Sequence, residues 1–238
     1  MRDDLRLGHP VPDWTPPEPP SGLQLRGRYA QLDRLDANSH AADLQRAFSA
    51  DDAMWDFMPY GPFGSASGYH RWIRQDGSGS DPLFYAITNL DRGELQGVAS
   101  YLRINPAAGS IEVGHIAMSP ALQKTRAATE AIYLMMAWAF EAGYRRFEWK
   151  CDALNMPSRR AAQRLGLSFE GVFRQHLVVK GRNRDTAWFA AIDAEWPALS
   201  AAFDAWLAPA NFSPSGRQSE RLSDLTRLVR AADDPALR

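Results

Sequence analysis

Residues 119–131 read Ser-Pro-Ala-Leu-Gln-Lys-Thr-Arg-Ala-Ala-Thr-Glu-Ala and join a strand pattern to a helical one. The strand pattern covers 110–118. After Pro120, apolar residues recur at three- and four-residue steps, which predicts a helix ending at Gly143. A helix start offers unpaired N–H groups and the positive end of the helix dipole, which suit a pyrophosphate. Taken alone, the stretch also fits an ordinary strand-to-helix turn.

A second strand-to-helix junction lies at Asn155-Met156-Pro157-Ser158. The pattern predicts a short strand at 147–151 before it and a helix after it that ends near Gly166. Asn155 suits the N-cap position, and Pro157 is tolerated in the first helical turn. The functional alternative is that Asn155 and Ser158 reach a ligand between two splayed strands.

Taken together, the two junctions resemble the GNAT acetyltransferases of the RimJ/RimL type. The matching text covers 119–131, 140–146 and 155–174, in the same order and spacing, and a looser strand pattern extends the resemblance over 23–192. The resemblance implies the GNAT α/β fold, with a mixed, largely antiparallel central sheet and helices on both faces. It also implies acetyl-CoA as the acetyl donor.

The resemblance further implies contacts to acetyl-CoA along both junctions. The strand backbone before the loop would receive the pantetheine arm, and the loop amides would hold the pyrophosphate. Asn155 would bond to the cofactor arm, and Ser158 would protonate the leaving thiolate. The family pattern has glycine where this chain has Arg126, whose guanidinium can instead bind a phosphate. The implied cofactor-binding residues are Ile116, Ala117, Met118, Gln123, Lys124, Thr125, Arg126, Ala127, Ala128, Thr129, Asn155 and Ser158.

Glu112 is the predicted catalytic base, since an ammonium must lose a proton before it attacks a thioester. Strict strand alternation places Glu112 with Ile116 on one face and His115 on the other. His115 is therefore an alternative base only for an acceptor on the opposite face. A glutamate bonded to a neighbouring strand is the purely structural interpretation.

The aromatic loop at 55–63 is predicted to border the acceptor pocket. Its Trp55, Phe57, Tyr60 and Phe63 can clamp an amine or face a cation with their rings, and Trp55, Tyr60 and Phe63 are the predicted substrate-binding residues. Packing in the core is the simpler interpretation of such rings.

The coarse order of elements is β-α-α-β-β-β-α-β-α-β-β, which indicates a mixed α/β sheet. It begins with a strand at 23–28 and a helix at 40–49 capped by Asn38 or Ser39. We expect three parts: a Pro-rich N-terminal arm at 1–22, the acetyltransferase domain at 23–195, and a helical extension at 196–238. A terminal helix is expected near 219–232, with Leu222, Leu225, Leu228 and Val229 on one face.

Composition narrows the classes of function. Lys and Arg number 27 against 28 Asp and Glu, a net charge of -1, which argues against a nucleic-acid or membrane-surface binder. The five histidines are far apart and Cys151 is the single cysteine, so we expect no metal site and no disulfide. Neither a secretory signal nor a membrane span is expected, which indicates a cytoplasmic protein. The sequence leaves a homodimer open.

The predicted reaction is acetyl transfer from acetyl-CoA to a primary amine by direct attack, without a covalent acyl-enzyme. The acceptor is either a protein N-terminus or a small-molecule amine. The alternative is a non-catalytic acyl-CoA-binding or protein-interaction module with a degenerate site, of which Arg126 would be a symptom.

Overall fold

An eight-stranded sheet organises the computed structural model, which describes residues 7–237. The order across the sheet is β1-β2-β3-β4-β5-β6-β8-β7, and every neighbouring pair is antiparallel except the parallel pair β5–β6. The predicted mixed, largely antiparallel sheet is therefore confirmed. The strands are β1 (Leu25–Arg26), β2 (Ala30–Arg34), β3 (Leu83–Asn89), β4 (Glu94–Asn105), β5 (Ser110–Met118), β6 (Arg146–Asp152), β7 (Ser168–Val179) and β8 (Arg182–Ile192).

Helices cover both faces of this sheet. They are α1 (Ala37–Phe48), α2 (Ala66–Trp72), α3 (Arg126–Glu141), α4 (Met156–Arg164), α5 (Trp196–Leu207) and α6 (Leu222–Thr226). A π-helical turn at Ile73–Gly77 extends α2, and short 3-10 turns occupy Asp52–Trp55, Pro209–Asn211 and Pro235–Leu237. Gly143 and Gly166 follow α3 and α4 with φ of 97° and 92°, a left-handed conformation that favours glycine at a helix end.

Strand alternation divides the apolar residues between two cores. On β3, Tyr85 and Ile87 pack with α3 and α5, whereas Phe84 and Ala86 pack with α1 and α2. Because successive side chains of a strand point to opposite faces, one apolar strand serves both cores. This explains why β3 reads as a continuous apolar run rather than as an alternating one.

The sheet opens where its single parallel pair ends. β5 and β6 are paired from Ser110↔Arg146 to Val113↔Trp149 and no further, while β4 still pairs with β5 as far as Met118. The last residues of β5 therefore have a partner on one side only. A gap opens between Gly114–Met118 and the end of β6, and both strand-to-helix junctions lie beside it.

Three predicted elements need correction. The first strand is shorter than expected, and β2 follows it because Glu130 accepts hydrogen bonds from the amides of Tyr29 and Ala30, which holds a turn there. The first helix begins at Ala37 and is capped by Asp36, whose Oδ1 accepts from the Ser39 amide at 2.8 Å. A sequence pattern of short polar residues cannot tell which of several capping residues is used.

The terminal helix at 219–232 is also wrong in extent, because α6 covers only Leu222–Thr226. The chain beyond it turns back onto the sheet, where the amide of Phe169 donates to the carbonyl of Ala232 at 3.1 Å. Leu222 is buried, but Leu228 is 85% exposed, so the four apolar residues do not share one buried face.

The Pro-rich arm, of which residues 1–6 lie outside the described chain, packs against the sheet end. The Trp14 indole donates to the carbonyl of Ala107 at 3.1 Å and lies over Gly109, where a Cβ would be 2.4 Å from the ring. Tyr144 donates its hydroxyl hydrogen to the carbonyl of Glu18 at 3.3 Å. Within residues 7–237, no helix has the length and apolarity needed to cross a membrane.

Candidate active site

A cleft of about 1730 Å³ occupies the gap between β5 and β6. It runs from the β7–β8 hairpin, past both strand-to-helix junctions, to the residues that follow α5. Most of the predicted cofactor residues line it: Ile116, Ala117, Met118, Gln123, Lys124, Thr125, Arg126, Ala128, Thr129 and Ser158, together with Asn155. Ala127 is fully buried and does not line the cleft with its side chain.

The loop before α3 presents free amides to the cleft. The N-cap Thr125 accepts from the Ala128 amide through its Oγ1 at 3.1 Å. Among the described residues, the amides of Lys124, Arg126 and Ala127 have no hydrogen-bond acceptor. Lys124 has a φ of 62°, which turns the loop back toward the helix start. Free amides at the positive end of a helix dipole are suited to a pyrophosphate.

Asn155 is the N-cap of α4, as its residue type predicts. Its Oδ1 accepts from the Ser158 amide at 3.1 Å, while its Nδ2 has no acceptor among the described residues. Capping therefore uses only the oxygen and leaves the amide hydrogens available to a ligand. The two interpretations of Asn155 are compatible.

Ser158 lies one turn into α4 and faces Trp149 on β6. Its Oγ accepts a hydrogen bond from the Trp149 indole at 3.0 Å. Because the indole can only donate, the serine hydroxyl keeps its own hydrogen for another acceptor. Cys151 lies nearby, and burial raises the pKa of its thiol to about 11, which makes it a poor nucleophile.

A β-bulge in β5 overturns the predicted distribution of its side chains. Gly114 pairs with Ser100 but Ala117 pairs with Val98, so β5 holds one extra residue between these pairs. His115 takes up that residue with a φ of 50°. Ile116 and Met118 consequently pack toward the α3 core, whereas Ala117 joins the α1 and α2 core. The extra residue shifts the alternation of side chains by one position after Gly114. His115 therefore lies on the same side of the sheet as Glu112.

Glu112 lies at the floor of the cleft and is 3% exposed. Its carboxylate accepts from Arg103 at 2.8 and 2.9 Å and from the Lys150 ammonium at 2.9 Å. Lys150 also pairs with Glu148 at 2.8 Å and lies 3.8 Å from the centroid of the Trp188 ring. Burial raises the pKa of Glu112, although Lys150 and Arg103 act against that rise. Both interpretations of Glu112, structural ion pair and base, are consistent with this position.

His115 is held by aromatic residues rather than by acids. Its Nδ1 lies 3.1 Å from the Tyr60 hydroxyl, and its ring stacks on Tyr60 with centroids 5.5 Å apart. Burial lowers the pKa of His115 to about 4, so its imidazole is neutral at physiological pH. A neutral imidazole in the cleft can orient a polar group but is a weak base.

Of the four aromatic residues predicted to border the acceptor pocket, only Phe57 lines the cleft. Trp55, Tyr60 and Phe63 pack against one another in the α1 and α2 core and do not line the cleft. Met54, Phe57 and Met58 form the apolar wall instead. The Lys180 ammonium donates to the carbonyl of Trp55 at 2.9 Å, which ties the β7–β8 hairpin to this loop. The hairpin adds His176, Leu177, Val179, Arg184 and Thr186 to the cleft.

Arg126 is already engaged within the protein. Its Nε and Nη2 donate to Asp91 at 2.8 and 3.0 Å, and its guanidinium lies 4.2 Å from the centroid of the Tyr29 ring. Arg126 is the first residue of α3, so the loop does not need the positive φ of a glycine there. Binding of a CoA phosphate by Arg126 stays a prediction, with Asp91 as a competitor for its charge.

Several cleft residues belong to elements that the sequence did not connect with the site. They come from the β7–β8 hairpin, from α4 at Arg164, from the end of α5 at Trp206, and from the segment after α5 at Phe212 and Arg217. Only the tertiary fold brings these segments beside the loop before α3. The Arg164 position was within the matching text, but nothing in the local pattern separates a cleft arginine from a surface one. No group of three or more potential metal ligands occurs among residues 7–237.

Comparisons with known proteins agree with this geometry. Residues 31–168 match the family model of the acetyltransferase (GNAT) domain. A GCN5-related N-acetyltransferase from Brucella melitensis is 42% identical with a TM-score of 0.89, covering 91% of this chain and 100% of that chain. A structure from Chromobacterium violaceum, a probable acetyltransferase of the GNAT family, is 41% identical with a TM-score of 0.76, covering 81% and 97%.

A more distant structure shows the fold alone. The microcin C7 self-immunity acetyltransferase MccE, solved in complex with acetyl-CoA and AMP, is 21% identical with a TM-score of 0.62, covering 70% of this chain and 93% of that chain. A comparison with curated protein sequences finds no match. The family model spans more than half of the chain, and two solved relatives exceed 40% identity over most of it. The chain therefore belongs to the GNAT acetyltransferase family.

Proposed function

We propose that the protein transfers an acetyl group from acetyl-CoA to a primary amine by direct attack. The observation that carries this proposal is the pair of free amides at Lys124 and Arg126, which line the open cleft where α3 begins. Acetyl-CoA supplies the thioester. The residues of the cleft fit it, because the free amides suit a pyrophosphate and the unpaired edge of β5 suits an amide-bearing pantetheine arm.

Glu112 is our candidate for the group that receives the ammonium proton. It lies in the cleft on the same side as His115, and its burial raises its pKa toward the value a base needs. Its partners Arg103 and Lys150 hold the carboxylate in place. His115 is the weaker candidate because burial lowers its pKa to about 4.

Ser158 is our candidate for the group that protonates the departing sulfur. As the C–N bond to the acceptor forms and the C–S bond breaks, negative charge collects on sulfur. The Trp149 indole donates a hydrogen bond to the Ser158 oxygen, so the serine hydroxyl can donate its own hydrogen to the sulfur. Asn155, one turn before it, keeps its amide hydrogens for the cofactor arm.

The acceptor would enter between the aromatic loop and the β7–β8 hairpin. Met54, Phe57 and Met58 give this end an apolar wall, which suits an amine with an apolar body. Both a peptide N-terminus and a small-molecule amine satisfy that description.

A screen of amines with detection of the released CoA thiol tests the proposal. Small amines, amino-acid conjugates and peptides with free N-termini are incubated with protein and acetyl-CoA, and thiol release is compared with a no-amine control. Release that depends on one class of amine supports the proposal. Saturable acetyl-CoA binding without turnover on any amine would instead indicate a non-catalytic acyl-CoA-binding module.

A further inference from the structure

The end of α5 and the segment that follows it form one wall of the cleft. The 3-10 turn Pro209–Asn211 is followed by a small hairpin closed by the bridge Phe212↔Gln218. Gln218 accepts from the Trp206 indole through its Oε1 at 2.7 Å, and buried Asn211 accepts from the Glu220 amide at 2.7 Å. These bonds give residues 206–220 a defined shape beside the loop before α3. We call this segment the C-terminal wall.

Arg164, at the end of α4, packs against the C-terminal wall at Trp206. Its guanidinium lies 4.9 Å from the centroid of the Trp206 ring and donates to Thr129 Oγ1 at 3.1 Å. No carboxylate of the described chain forms an ion pair with it. Burial lowers the pKa of Arg164, and no acid offsets that effect. A half-buried cation without a counter-charge is costly, which makes the position suited to an anionic ligand.

Arg217 lies on the C-terminal wall and also lines the cleft. Its backbone is fixed, because its amide donates to Ser213 Oγ at 3.1 Å and its carbonyl accepts from the Ser213 amide at 2.9 Å. Its guanidinium forms no ion pair with any described residue.

Arg160 on α4 also lines the cleft without an ion pair to a described residue, whereas two other nearby arginines are paired within the protein. Arg126 is paired with Asp91, and Arg159 is paired with Asp234 at 2.5 Å. Arg164 and Arg217 therefore supply positive charge that the protein itself leaves uncompensated. A dianionic phosphate can accept hydrogen bonds from two guanidinium groups at once.

We propose that Arg164 and Arg217 bind the 3′-phosphate of coenzyme A, with the C-terminal wall completing that end of the cofactor site. The inference rests on the proposed function, since it takes the pyrophosphate to lie on the free amides before α3. The cleft extends from those amides to Arg164 and Arg217, and the 3′-phosphate is the remaining anionic group of the same cofactor. The C-terminal wall lies outside residues 31–168, so the site would be an addition to the matched domain.

Calorimetric titration with CoA and with dephospho-CoA, which lacks only the 3′-phosphate, tests the proposal on the full chain. We expect wild-type protein to bind CoA at least about 10-fold more tightly than dephospho-CoA, as charge-assisted hydrogen bonds predict. Arg164→Gln and Arg217→Gln should each reduce that preference without weakening dephospho-CoA. Arg227→Gln is the matched control, because Arg227 is exposed outside the cleft and its loss changes the net charge equally.

The outcomes separate this inference from the proposed function. Equal affinity of wild-type protein for the two ligands overturns the inference but leaves acetyl-CoA binding intact. If Arg217→Gln prefers CoA over dephospho-CoA as strongly as the wild-type protein does, the inference is also overturned. Arg217 is exposed, so its replacement leaves the contact between Arg164 and Trp206 intact. Failure of the wild-type protein to bind either ligand would overturn both proposals.

Discussion

At the scale of single residues, a substitution of Ser158 can distinguish most clearly between a structural role and a chemical one. Its hydroxyl does not cap α4, because the cap is Asn155. We therefore expect Ser158→Ala to fold normally and to lower kcat about 10²-fold or more, with little change in the KM for acetyl-CoA. Steady-state kinetics measure both parameters.

Ser65→Ala is a useful control for the Ser158 variant, since Ser65 caps α2 through its side chain and does not line the cleft. It should reduce stability by about 1 kcal/mol and leave kcat unchanged. Full kcat in Ser158→Ala would remove Ser158 from the chemistry.

Glu112 and His115 can be distinguished by the pH dependence of kcat/KM. A base must be deprotonated to act, so kcat/KM should rise as the pH passes upward through the pKa of Glu112, which burial raises. We expect Glu112→Gln to abolish that rise, and His115→Asn to keep it. The reverse pattern would transfer the role to His115, and a rise retained in both variants would assign it to the acceptor amine or to water.

His115 also predicts a pH dependence of stability. Its pKa is about 4 in the folded protein and near 6.5 when unfolded, so the unfolded chain binds more protons between these values. The free energy of unfolding should therefore fall as the pH drops from about 6.5 to about 4. His115→Asn should flatten this part of the curve, which denaturant titrations at several pH values measure. A curve unchanged by the substitution would contradict the assigned pKa.

The sequence predicted several residues of the site but not how they are placed relative to one another. Asn155 and Ser158 were recognised from local junction chemistry, which the structure retains. The shared side of Glu112 and His115 was not predictable, because it depends on a bulge set by pairing with β4. The same applies to Arg103, whose contact with Glu112 crosses from one strand to the next.

At the scale of elements, the C-terminal tail holds α4 in place. Arg159 on α4 forms a bidentate pair with buried Asp234, and the Asp234 amide donates to Gln163 Oε1 at 2.7 Å. Because Arg159 directly follows Ser158, the tail fixes the helix that carries the candidate cofactor contacts. Local patterns predicted α4 well, through Pro157 and Gly166, but not the distant aspartate that secures it.

We expect Asp234→Ala to lower the free energy of unfolding by about 3–5 kcal/mol, because it leaves the buried Arg159 guanidinium without a carboxylate to balance its charge. Urea denaturation measures the change. Asp43→Ala is the control at an exposed ion pair: the Asp43 side chain is 53% exposed and pairs with Arg46, whose side chain is 75% exposed. The free energy of unfolding of that variant should fall by no more than about 1 kcal/mol. Equal effects of the two substitutions would show that the buried pair does not secure α4.

At the scale of the whole molecule, the described part of the Pro-rich arm and the segment after α5 both pack against the acetyltransferase domain. Trp14 covers the β4–β5 turn, while α5 packs against α3 and the C-terminal wall lines the cleft. The architecture of the sheet was predictable because hydrophobic period and junction chemistry are local signals. The course of residues 209–237 was not predictable from the sequence. Its path is set by contacts with α4 and β7, which the local pattern of polar residues does not reveal.

Binding of acetyl-CoA in the cleft between β5 and β6 is the central claim, and the melting temperature tests it most directly. A ligand that binds only the folded protein stabilises it by about 2.7 kcal/mol at 100 times its Kd. We predict that the Tm rises with acetyl-CoA concentration and that an equal concentration of adenosine, which lacks the pyrophosphate and the pantetheine arm, gives no comparable rise. An unchanged Tm at millimolar acetyl-CoA would contradict the account.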